Sequence, residues 1–215
     1  MNTYLFDFDG TLVDSMPVYT GAMLRIMDEN GVPHDGRTVE IITPLGLEGT
    51  ARYFLSLGMK ASREALVARM KELMAEAYFH TIPAKPGAAD ALAAMKARGD
   101  SLNVLTASPH VTLDACLKRL GLFGLFDNVW SCDDFDFTKS QPEIYIEAAR
   151  RLGRSPDKLI FLDDNINACL AAKAAGLTVF GVYDESSAKS EDRMRAELDG
   201  YVRELGEASR ARSEK

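Results

Sequence analysis

Long apolar runs and cysteine pairs are missing from this sequence of 215 residues. No run of about 18 apolar residues occurs, and residues 1–4 lack the basic and apolar segments of a secretory signal. We therefore expect neither membrane insertion nor secretion. The cysteines number 3 and show no Cys-x-x-Cys spacing, which argues against a disulfide framework and against a zinc site. Together these absences predict a cytoplasmic protein with free thiols.

Basic residues are fewer than acidic ones, 25 Lys and Arg against 32 Asp and Glu, so the net charge is −7. No basic run offsets this excess, and nucleic acid or an anionic membrane would be repelled. We therefore expect neither as a partner, and we predict a monomer or a weak dimer. The hydrophobic fraction of 47% is sufficient for one substantial core, or for a core with a small second domain.

Short apolar runs alternate with helical patterns over most of the chain. The runs rich in β-branched and aromatic residues are 4–8, 102–105, 159–162 and 178–182. The helical patterns between them are 88–98, 111–120, 143–152 and 166–175. Alternating strands and helices predict a parallel sheet, and runs that are apolar on both faces suit strands covered by helices on each side. With right-handed crossovers, the sequence predicts a doubly wound, Rossmann-like α/β fold.

Residues 15–85 interrupt this alternation, because they contain no convincing strand. Their helical patterns are 18–29 and 63–79, with weaker ones at 38–42 and 48–56. Proline-bearing segments bracket the insert, as is typical where a second domain leaves and rejoins its host. The sequence therefore predicts an α/β core domain made of residues 1–14 and 86–215, and a small all-helical cap domain made of residues 15–85.

The segment Asp7-Phe8-Asp9-Gly10-Thr11 places two acids directly after the first apolar run. In a strand, residues two apart point to the same side. Asp7 and Asp9 would then crowd two negative charges together, unless the backbone turns or a cation lies between them. Mg²⁺ prefers hard oxygen ligands such as carboxylates and retains waters that a phosphate can replace. The segment therefore indicates a metal site.

Other polar residues follow the later strands, and ligands of doubly wound sheets bind beyond the carboxyl ends of the strands. The residues in question are Thr106, Ala107 and Ser108 after the second run, Asp163 and Asp164 after the third, and Lys139 in a loop before a helical pattern. Four carboxylates and one lysine at one edge have a formal charge of about −3, which a divalent cation would reduce to about −1. The pattern predicts that these residues meet around such a cation.

In this order the motifs resemble those of the haloacid dehalogenase superfamily, in its phosphatase branch with a helical cap inserted after the first motif. Asp7-x-Asp9-Gly10-Thr11 is similar to the first motif, Thr106 to the second, Lys139 to the third and Asp163-Asp164 to the fourth. The resemblance extends over residues 4–182, and within the superfamily the chain looks like the phosphoglycolate phosphatases and β-phosphoglucomutases.

The resemblance implies a role for each acid. Asp7 would be the nucleophile that forms an aspartyl-phosphate. Asp9 would be the general acid and then the general base, and its presence favours phosphoryl transfer over dehalogenation, because the dehalogenases lack this second acid. Asp7, Asp9, Asp164 and Asp163 would hold Mg²⁺, with Asp9 contributing its backbone carbonyl. Some relatives carry a further acid where this chain has Asn167, so the surroundings of the metal differ from theirs.

The resemblance also implies which groups bind phosphate. Catalysis would come from Thr106 and Lys139 in addition to the two acids, because positioned donors stabilise the charge that spreads over phosphoryl oxygens. The expected phosphate-binding residues are Gly10 and Thr11 through their backbone N–H groups, with Thr106, Ala107, Ser108 and Lys139. In relatives a cap loop after a glycine selects the substrate, and Gly46 within residues 43–48 is its counterpart here.

We therefore expect a magnesium-dependent hydrolase of phosphoric monoesters that acts on a small phosphorylated metabolite. Phosphoglycolate-like and sugar-phosphate-like substrates are the two expected classes. The alternative is a phosphosugar mutase of the β-phosphoglucomutase type, which returns the phosphoryl group to its substrate. The released inorganic phosphate, measured against isomer formation, distinguishes the two activities.

Overall fold

The structure, a computed structural model, describes residues 1–210, so the last five residues of the predicted core segment 86–215 lie outside the described part. Contacts divide the chain into two compact units. The first comprises Met1–Asp14 and the chain from Pro83 onward, and the second comprises Ser15–Ile82.

The first unit contains a six-stranded parallel sheet in the order β3-β2-β1-β4-β5-β6. The strands are β1 (Thr3–Phe6), β2 (Ser101–Thr106), β3 (Asn128–Ser131), β4 (Leu159–Asp163), β5 (Thr178–Val182) and β6 (Gly200–Val202). With helices on both sides of the sheet, this architecture confirms the predicted Rossmann-like fold. Strand β1 lies in the middle, where Thr3 is in register with Ser101 on one side and with Leu159 on the other.

The helices of the described chain, in order, are α1 (Met16–Glu29), α2 (Gly36–Ile42), α3 (Gly46–Ser56), α4 (Arg63–His80), α5 (Ala88–Ala97), α6 (His110–Arg119), α7 (Pro142–Arg151), α8 (Ile166–Ala174), α9 (Glu191–Glu197) and α10 (Leu205–Arg210). None of them combines the length and the apolar character needed to cross a membrane. Helix α8 illustrates how they begin, since the Asn165 side chain accepts hydrogen bonds from the N–H groups of Asn167 and Ala168.

The core of the first unit lies between the sheet and its helices. Leu5, Leu159 and Phe161 of the strands are completely buried, and they belong to one cluster with Ile144 of α7 and Cys169 of α8. Full burial of an aliphatic or aromatic side chain of this size contributes about 1.5–3 kcal/mol. Burial of the side chains on both faces therefore holds β1 and β4, and the residues at their ends, in fixed positions.

The second unit has its own helical core. Met23 and Met27 of α1 are one turn apart on the same face, and they are buried in one cluster with Phe54 of α3 and Met70 of α4. Helix α2 begins with a reciprocal capping arrangement between Asp35 and Thr38. An independent core is the property of a separate domain. The role of this unit as a cap stays a prediction.

The second unit ends three residues earlier than the predicted cap, and residues 83–85 lie in the first unit. Backbone pairing explains the difference. The Asp14 N–H donates to Pro83 O (3.0 Å), the Lys85 N–H donates to Leu12 O (2.9 Å), and Ala84 forms an antiparallel bridge with Val13. These bonds attach the returning chain to the segment that follows β1.

Candidate active site

The edge of the sheet at which the strands end, here called the carboxyl edge, collects most of the predicted site residues. Asp7 directly follows β1, and its N–H donates to Leu162 O of β4 at 2.9 Å. Asp163 ends β4, and Thr106 ends β2 on the other side of β1. Because β1 is central, the residues after it lie between the two neighbouring strand ends.

Lys139 joins the first and last acidic motifs. Its Nζ lies 2.5 Å from Asp7 Oδ1 and 2.8 Å from Asp163 Oδ2, and its side chain is only 12% exposed. The Tyr145 hydroxyl donates to Lys139 O (2.8 Å) and lies within hydrogen-bond distance of Ala168 O (3.1 Å). Helices α7 and α8 thereby hold the loop that carries the ammonium group.

Burial and like charge shift the pKa values in this cluster. Burial raises the pKa of Asp7 to about 7, and Asp163 adds to the increase while Lys139 opposes it. Burial, then Asp163 and Asp7, also raise the pKa of Asp164 well above its usual range. Burial alone would lower the pKa of Lys139, but the two carboxylates outweigh it and raise that pKa well above its usual value. With all three acids ionised, the site would carry more negative charge than Lys139 neutralises.

Asp7, Asp163 and Asp164 form an acidic cluster that fits a metal ion. Each offers a carboxylate oxygen, and these oxygens lie within 4.8 Å of one another. Asp7 Oδ1 is buried and lies 2.5 Å from Lys139 Nζ, whose single positive charge is shared with Asp163. Three carboxylates beside one ammonium group leave negative charge that a further cation would neutralise. Oxygen ligands of this type suit a hard divalent cation.

Asp163 and Asp164 differ in the contacts that they make. Asp163 Oδ1 accepts from the Asn165 N–H at 2.7 Å, and its Oδ2 accepts from Lys139. Both carboxylate oxygens of Asp163 are thereby engaged in hydrogen bonds within the protein. Asp164 receives a longer contact of 3.4 Å from Thr11 Oγ1. Asp164 is thus the better ligand of the pair, while Asn167 lies in the first turn of α8 with its N–H bonded to Asn165.

The turn after Asp9 is built against Asp164. Gly10 has φ +74°, and a Cβ atom at this position would lie 2.7 Å from Asp164 Cγ. The Gly10 N–H donates to Val13 O at 2.9 Å within the turn, and phosphate binding by Gly10 stays a prediction. Thr11 is completely buried beside Asp164. Its contact with phosphate stays a prediction.

The residues after β2 contact Asp9. The Ser108 hydroxyl donates to Asp9 Oδ2 at 2.5 Å, and the Ser108 N–H donates to Thr106 Oγ1 at 3.1 Å. Thr106 is buried at the end of β2, and Ala107 lies between these two residues. The structure thus brings Asp9, Thr106 and Ser108 together, as the order of the motifs predicted.

His110 is the first residue of α6 and bridges two carboxylates. Its Nδ1 lies 3.0 Å from Asp114 Oδ1 and its Nε2 lies 2.8 Å from Asp134 Oδ2. Hydrogen bonds to Asp114 and then to Asp134 raise the pKa of the imidazole. The bridge ties the start of α6 to the segment that follows β3.

Gly46, which was predicted from the sequence, and Lys85, which was not, lie in different units. Gly46 is the first residue of α3 and belongs to the second unit. Lys85 was not among the predicted site residues, yet its Nζ donates to Gly10 O at 2.7 Å. A single lysine before Pro86-Gly87 carries no recognisable signal, and only the folded chain shows that it lies beside the first motif.

A family model described as haloacid dehalogenase-like hydrolase matches residues 1–176. The chain belongs to this haloacid dehalogenase-like hydrolase family. Within the family it is a hydrolase of the phosphatase type, like the curated relatives described next. The match includes all four motifs, the whole of the second unit, and the first unit as far as the end of α8.

Two curated relatives and one solved structure illustrate the similarity. Hexitol phosphatase B of Escherichia coli (strain K12) is 31% identical over 175 residues, which cover 80% of this chain and 78% of the relative. A phosphorylated carbohydrates phosphatase of Thermotoga maritima is 29% identical over 184 residues, covering 85% of each chain. The crystal structure of a Thermotoga maritima protein provisionally named β-phosphoglucomutase is 27% identical, with a TM-score of 0.83 over 100% of this chain and 99% of that one.

Proposed function

We propose that this protein is a magnesium-dependent phosphomonoesterase that forms an aspartyl-phosphate on Asp7. The observation that carries the proposal is the contact of Asp7 with Lys139, in one cluster with the carboxylates of Asp163 and Asp164. A nucleophile needs an ionised oxygen at the reacting phosphorus, and the phosphoryl oxygens need positive charge nearby. Lys139 supplies positive charge, and a cation bound to the acids would favour the ionised form of Asp7.

The acidic cluster fits Mg²⁺ because it offers several hard carboxylate oxygens close together, with only Lys139 to balance their charge among the groups in contact with Asp7 and Asp163. Asp7 and Asp164 would hold the ion with their carboxylates, and Asp9 with its backbone carbonyl. When bound, the ion neutralises charge on the phosphoryl group and on the acids. Asp163 would act mainly by holding Lys139.

Two displacements follow from the placement of the acids. In the first, an Asp7 carboxylate oxygen bonds to phosphorus, the ester P–O bond breaks, and the leaving oxygen takes a proton from Asp9. In the second, water bonds to the phosphorus of the aspartyl-phosphate and returns a proton to Asp9, while the Asp7–phosphorus bond breaks. The Ser108 hydroxyl orients the Asp9 carboxyl in both steps.

Thr106 and Lys139 would stabilise the transferring phosphoryl group. Lys139 is held by Asp163 and by the Tyr145 bond to its own carbonyl, so its charge is positioned before substrate arrives. Thr106 Oγ1 and the Ala107 N–H lie at the end of β2 and would bind another oxygen. Positioned groups of this kind cost no reorganisation during the reaction.

The proposed substrate is a small phosphorylated sugar or polyol, in keeping with the hexitol and carbohydrate phosphatases among the relatives. Phosphoglycolate is the second candidate class. The second unit, with Gly46 at the start of α3, would act as the cap that selects the leaving group. The free cysteines accord with a cytoplasmic enzyme acting on a soluble metabolite, as a monomer or weak dimer.

A phosphosugar mutase is the second candidate, favoured by the similarity to the Thermotoga maritima structure named for that activity. A mutase keeps the phosphoryl group on the enzyme until it returns to the sugar. A phosphatase transfers it to water. With hexose phosphates as substrates, formation of the isomer without free phosphate would identify the mutase.

The test uses the purified chain, an aryl phosphate and a panel of hexitol, hexose and glycolate phosphates. We expect phosphate release that requires Mg²⁺, is abolished by a chelator, and is lost in Asp7→Asn. Asp157→Asn, at an exposed position in the same unit, is the matched control and should retain full activity. Equal activity in Asp7→Asn and the parent chain would refute the nucleophile assignment.

A further inference from the structure

Lys85 is a partly buried lysine that the proposed mechanism does not use. Its side chain is 16% exposed. Its Nζ lies 2.7 Å from Gly10 O, 2.6 Å from Tyr183 O and 2.9 Å from Asp184 Oδ2. An ammonium group has three N–H donors, and here each has an acceptor oxygen. The side chain is therefore held in one position.

We propose that Lys85 is a positioning residue, which fixes the Gly10 peptide so that Asp164 and Asp9 present their oxygens to a divalent cation. The inference rests on the proposed function, since it concerns the same metal site. Lys85 itself contacts neither the cation nor the substrate. It acts through the backbone of the turn.

The Gly10 peptide is the point at which Lys85 acts. The peptide group is planar, so a bond to Gly10 O fixes the orientation of the whole Gly10–Thr11 unit. Gly10 leaves no space between its Cα and Asp164, and Thr11 Oγ1 donates to Asp164 Oδ1 at 3.4 Å. A rotation of this peptide would therefore move the surface on which the Asp164 carboxylate rests. It would also move Asp9, whose carbonyl belongs to the preceding peptide.

The other partners of Lys85 anchor it to the sheet. Tyr183 and Asp184 directly follow β5, and the Tyr183 N–H donates to Val202 O of β6. In the strand order, β4 lies between β1 and β5. Lys85 thus connects the segments after β1 and β5, on either side of the strand that carries Asp163 and Asp164.

Asp184, the ion-pair partner of Lys85, is itself held in place by Ser186. It is 3% exposed, and its Oδ1 accepts from the Ser186 N–H (2.9 Å) and from Ser186 Oγ (2.6 Å). Its other oxygen is thereby directed at Lys85. A buried ion pair contributes little net stability compared with an apolar pair of the same size. Stability alone therefore does not account for an ammonium group bound to the Gly10 carbonyl.

The charge of Lys85 and its positioning role predict opposite changes in Mg²⁺ affinity when Lys85 is replaced by methionine. Loss of a positive charge beside the acidic cluster would by itself strengthen Mg²⁺ binding. Loss of the Gly10 contact would weaken it, and residues that orient metal ligands are worth about 10- to 100-fold in metal affinity or activity. The sign of the change in Mg²⁺ affinity therefore separates the two roles.

The experiment compares the parent chain, Lys85→Met, and the double variant Lys85→Met/Asp184→Asn, which leaves the net charge unchanged. Asparagine retains the oxygen that accepts from Ser186. Calorimetry measures Mg²⁺ binding without substrate, and hydrogen exchange measures protection of residues 7–14, where the Leu12 and Val13 N–H groups donate to Phe8 O. Thermal unfolding and kcat on an aryl phosphate complete the set.

We expect Mg²⁺ binding at least about 10-fold weaker in both variants, faster exchange in residues 7–14, and a kcat reduced by a similar factor. The unfolding temperature should fall in Lys85→Met and partly recover in the double variant, because Asp184 is no longer buried with an unpaired charge. Lys173→Met is the matched control, since Lys173 forms an exposed pair with Asp199 of the same unit. It should leave all four measurements unchanged.

Unchanged or tighter Mg²⁺ binding in Lys85→Met, or a return of Mg²⁺ affinity together with the unfolding temperature in the double variant, would overturn the proposal. A parent chain without phosphatase activity would refute the proposed function instead. In that case calorimetry and hydrogen exchange still decide whether Lys85 holds the turn.

Discussion

Ser108 Oγ donates a hydrogen bond of 2.5 Å to Asp9 Oδ2, which links the residues after β2 to the acid proposed to transfer protons. A hydroxyl donor to a carboxylate forms a strong bond. Ser108 therefore sets the direction of the Asp9 carboxyl.

Replacement of this hydroxyl tests the link. In Ser108→Ala, we expect a kcat reduced about 10-fold or more, within the range typical of positioned acid–base groups. The reduction follows because the Asp9 carboxyl loses the contact that orients it. Ser155→Ala is the control, since Ser155 makes a bond of the same 2.5 Å length to Asp157 on the exposed surface. An unchanged kcat in Ser108→Ala would exclude this role.

The raised pKa of Asp7 predicts how metal-free stability depends on pH. The unfolded carboxyl has a pKa of about 3.9, whereas burial raises the folded value to about 7. Between these values the folded state binds more protons than the unfolded state, so stability declines as the pH rises through about 7. We expect the unfolding temperature of the chelator-treated protein to be lower at pH 8 than at pH 5.

Mg²⁺ should reverse this trend, because it competes with protons for the same oxygens. At a concentration about 100 times its dissociation constant, a ligand stabilises the folded state by about 2.7 kcal/mol. For a chain of this size we expect an increase of about 5–10 °C in the unfolding temperature at pH 8. The increase should be smaller at pH 5. An equal effect at both pH values would contradict binding to the acidic cluster.

Gly10→Ala should displace Asp164. The new Cβ would lie 2.7 Å from the Asp164 carboxylate, so we expect Mg²⁺ affinity or kcat to fall about 10- to 100-fold. Positive φ adds a strain of about 1–2 kcal/mol. Gly121→Ala carries the same strain, since Gly121 has φ +72°, but its new Cβ would meet no atom within 4 Å. This control should lose stability but retain activity, and equal activity in the two variants would show that Asp164 tolerates displacement.

His110 should stabilise the protein in a pH-dependent manner. Its pKa is raised by Asp114 and Asp134, so its contribution is full below the unfolded pKa of about 6.5 and is lost as the pH rises through the folded value. We expect His110→Gln to lower the unfolding temperature more at pH 6 than at pH 9. Thermal unfolding of both proteins across this range checks the sign. A difference that grows with pH would show that the bridge does not carry charge.

Sequence patterns were sufficient for the strands at the centre of the sheet. The runs that became β1, β2, β4 and β5 are apolar on both faces, because helices cover them on both sides. The edge strands β3 and β6 were not among the predicted runs. Strand β3 begins at the half-buried Asn128, and β6 is only three residues long with a glycine at its start. Strands of this kind carry little hydrophobic signal.

Among the site residues, those that directly follow strands could be predicted because parallel strands end at one edge. Asp7, Thr106, Asp163 and Asp164 are of this type. The contacts that hold the turn after Asp9 could not be predicted, since Lys85 and Asp184 are far apart in sequence and meet only when β5 is in place. The hydrogen bond from the Gly10 N–H could not be predicted either, because its acceptor, Val13 O, depends on the local path of the backbone.

The central place of β1 has a consequence for synthesis of the chain. The ribosome makes this strand first, but one of its two edges pairs with β2 and the other must wait for β4, which follows much later. A nascent chain that stops before β4 therefore exposes the unpaired backbone edge of a largely apolar strand, a hazard for association between chains. The same late strand brings Asp163 and Asp164, so catalytic competence and protection from aggregation arrive together.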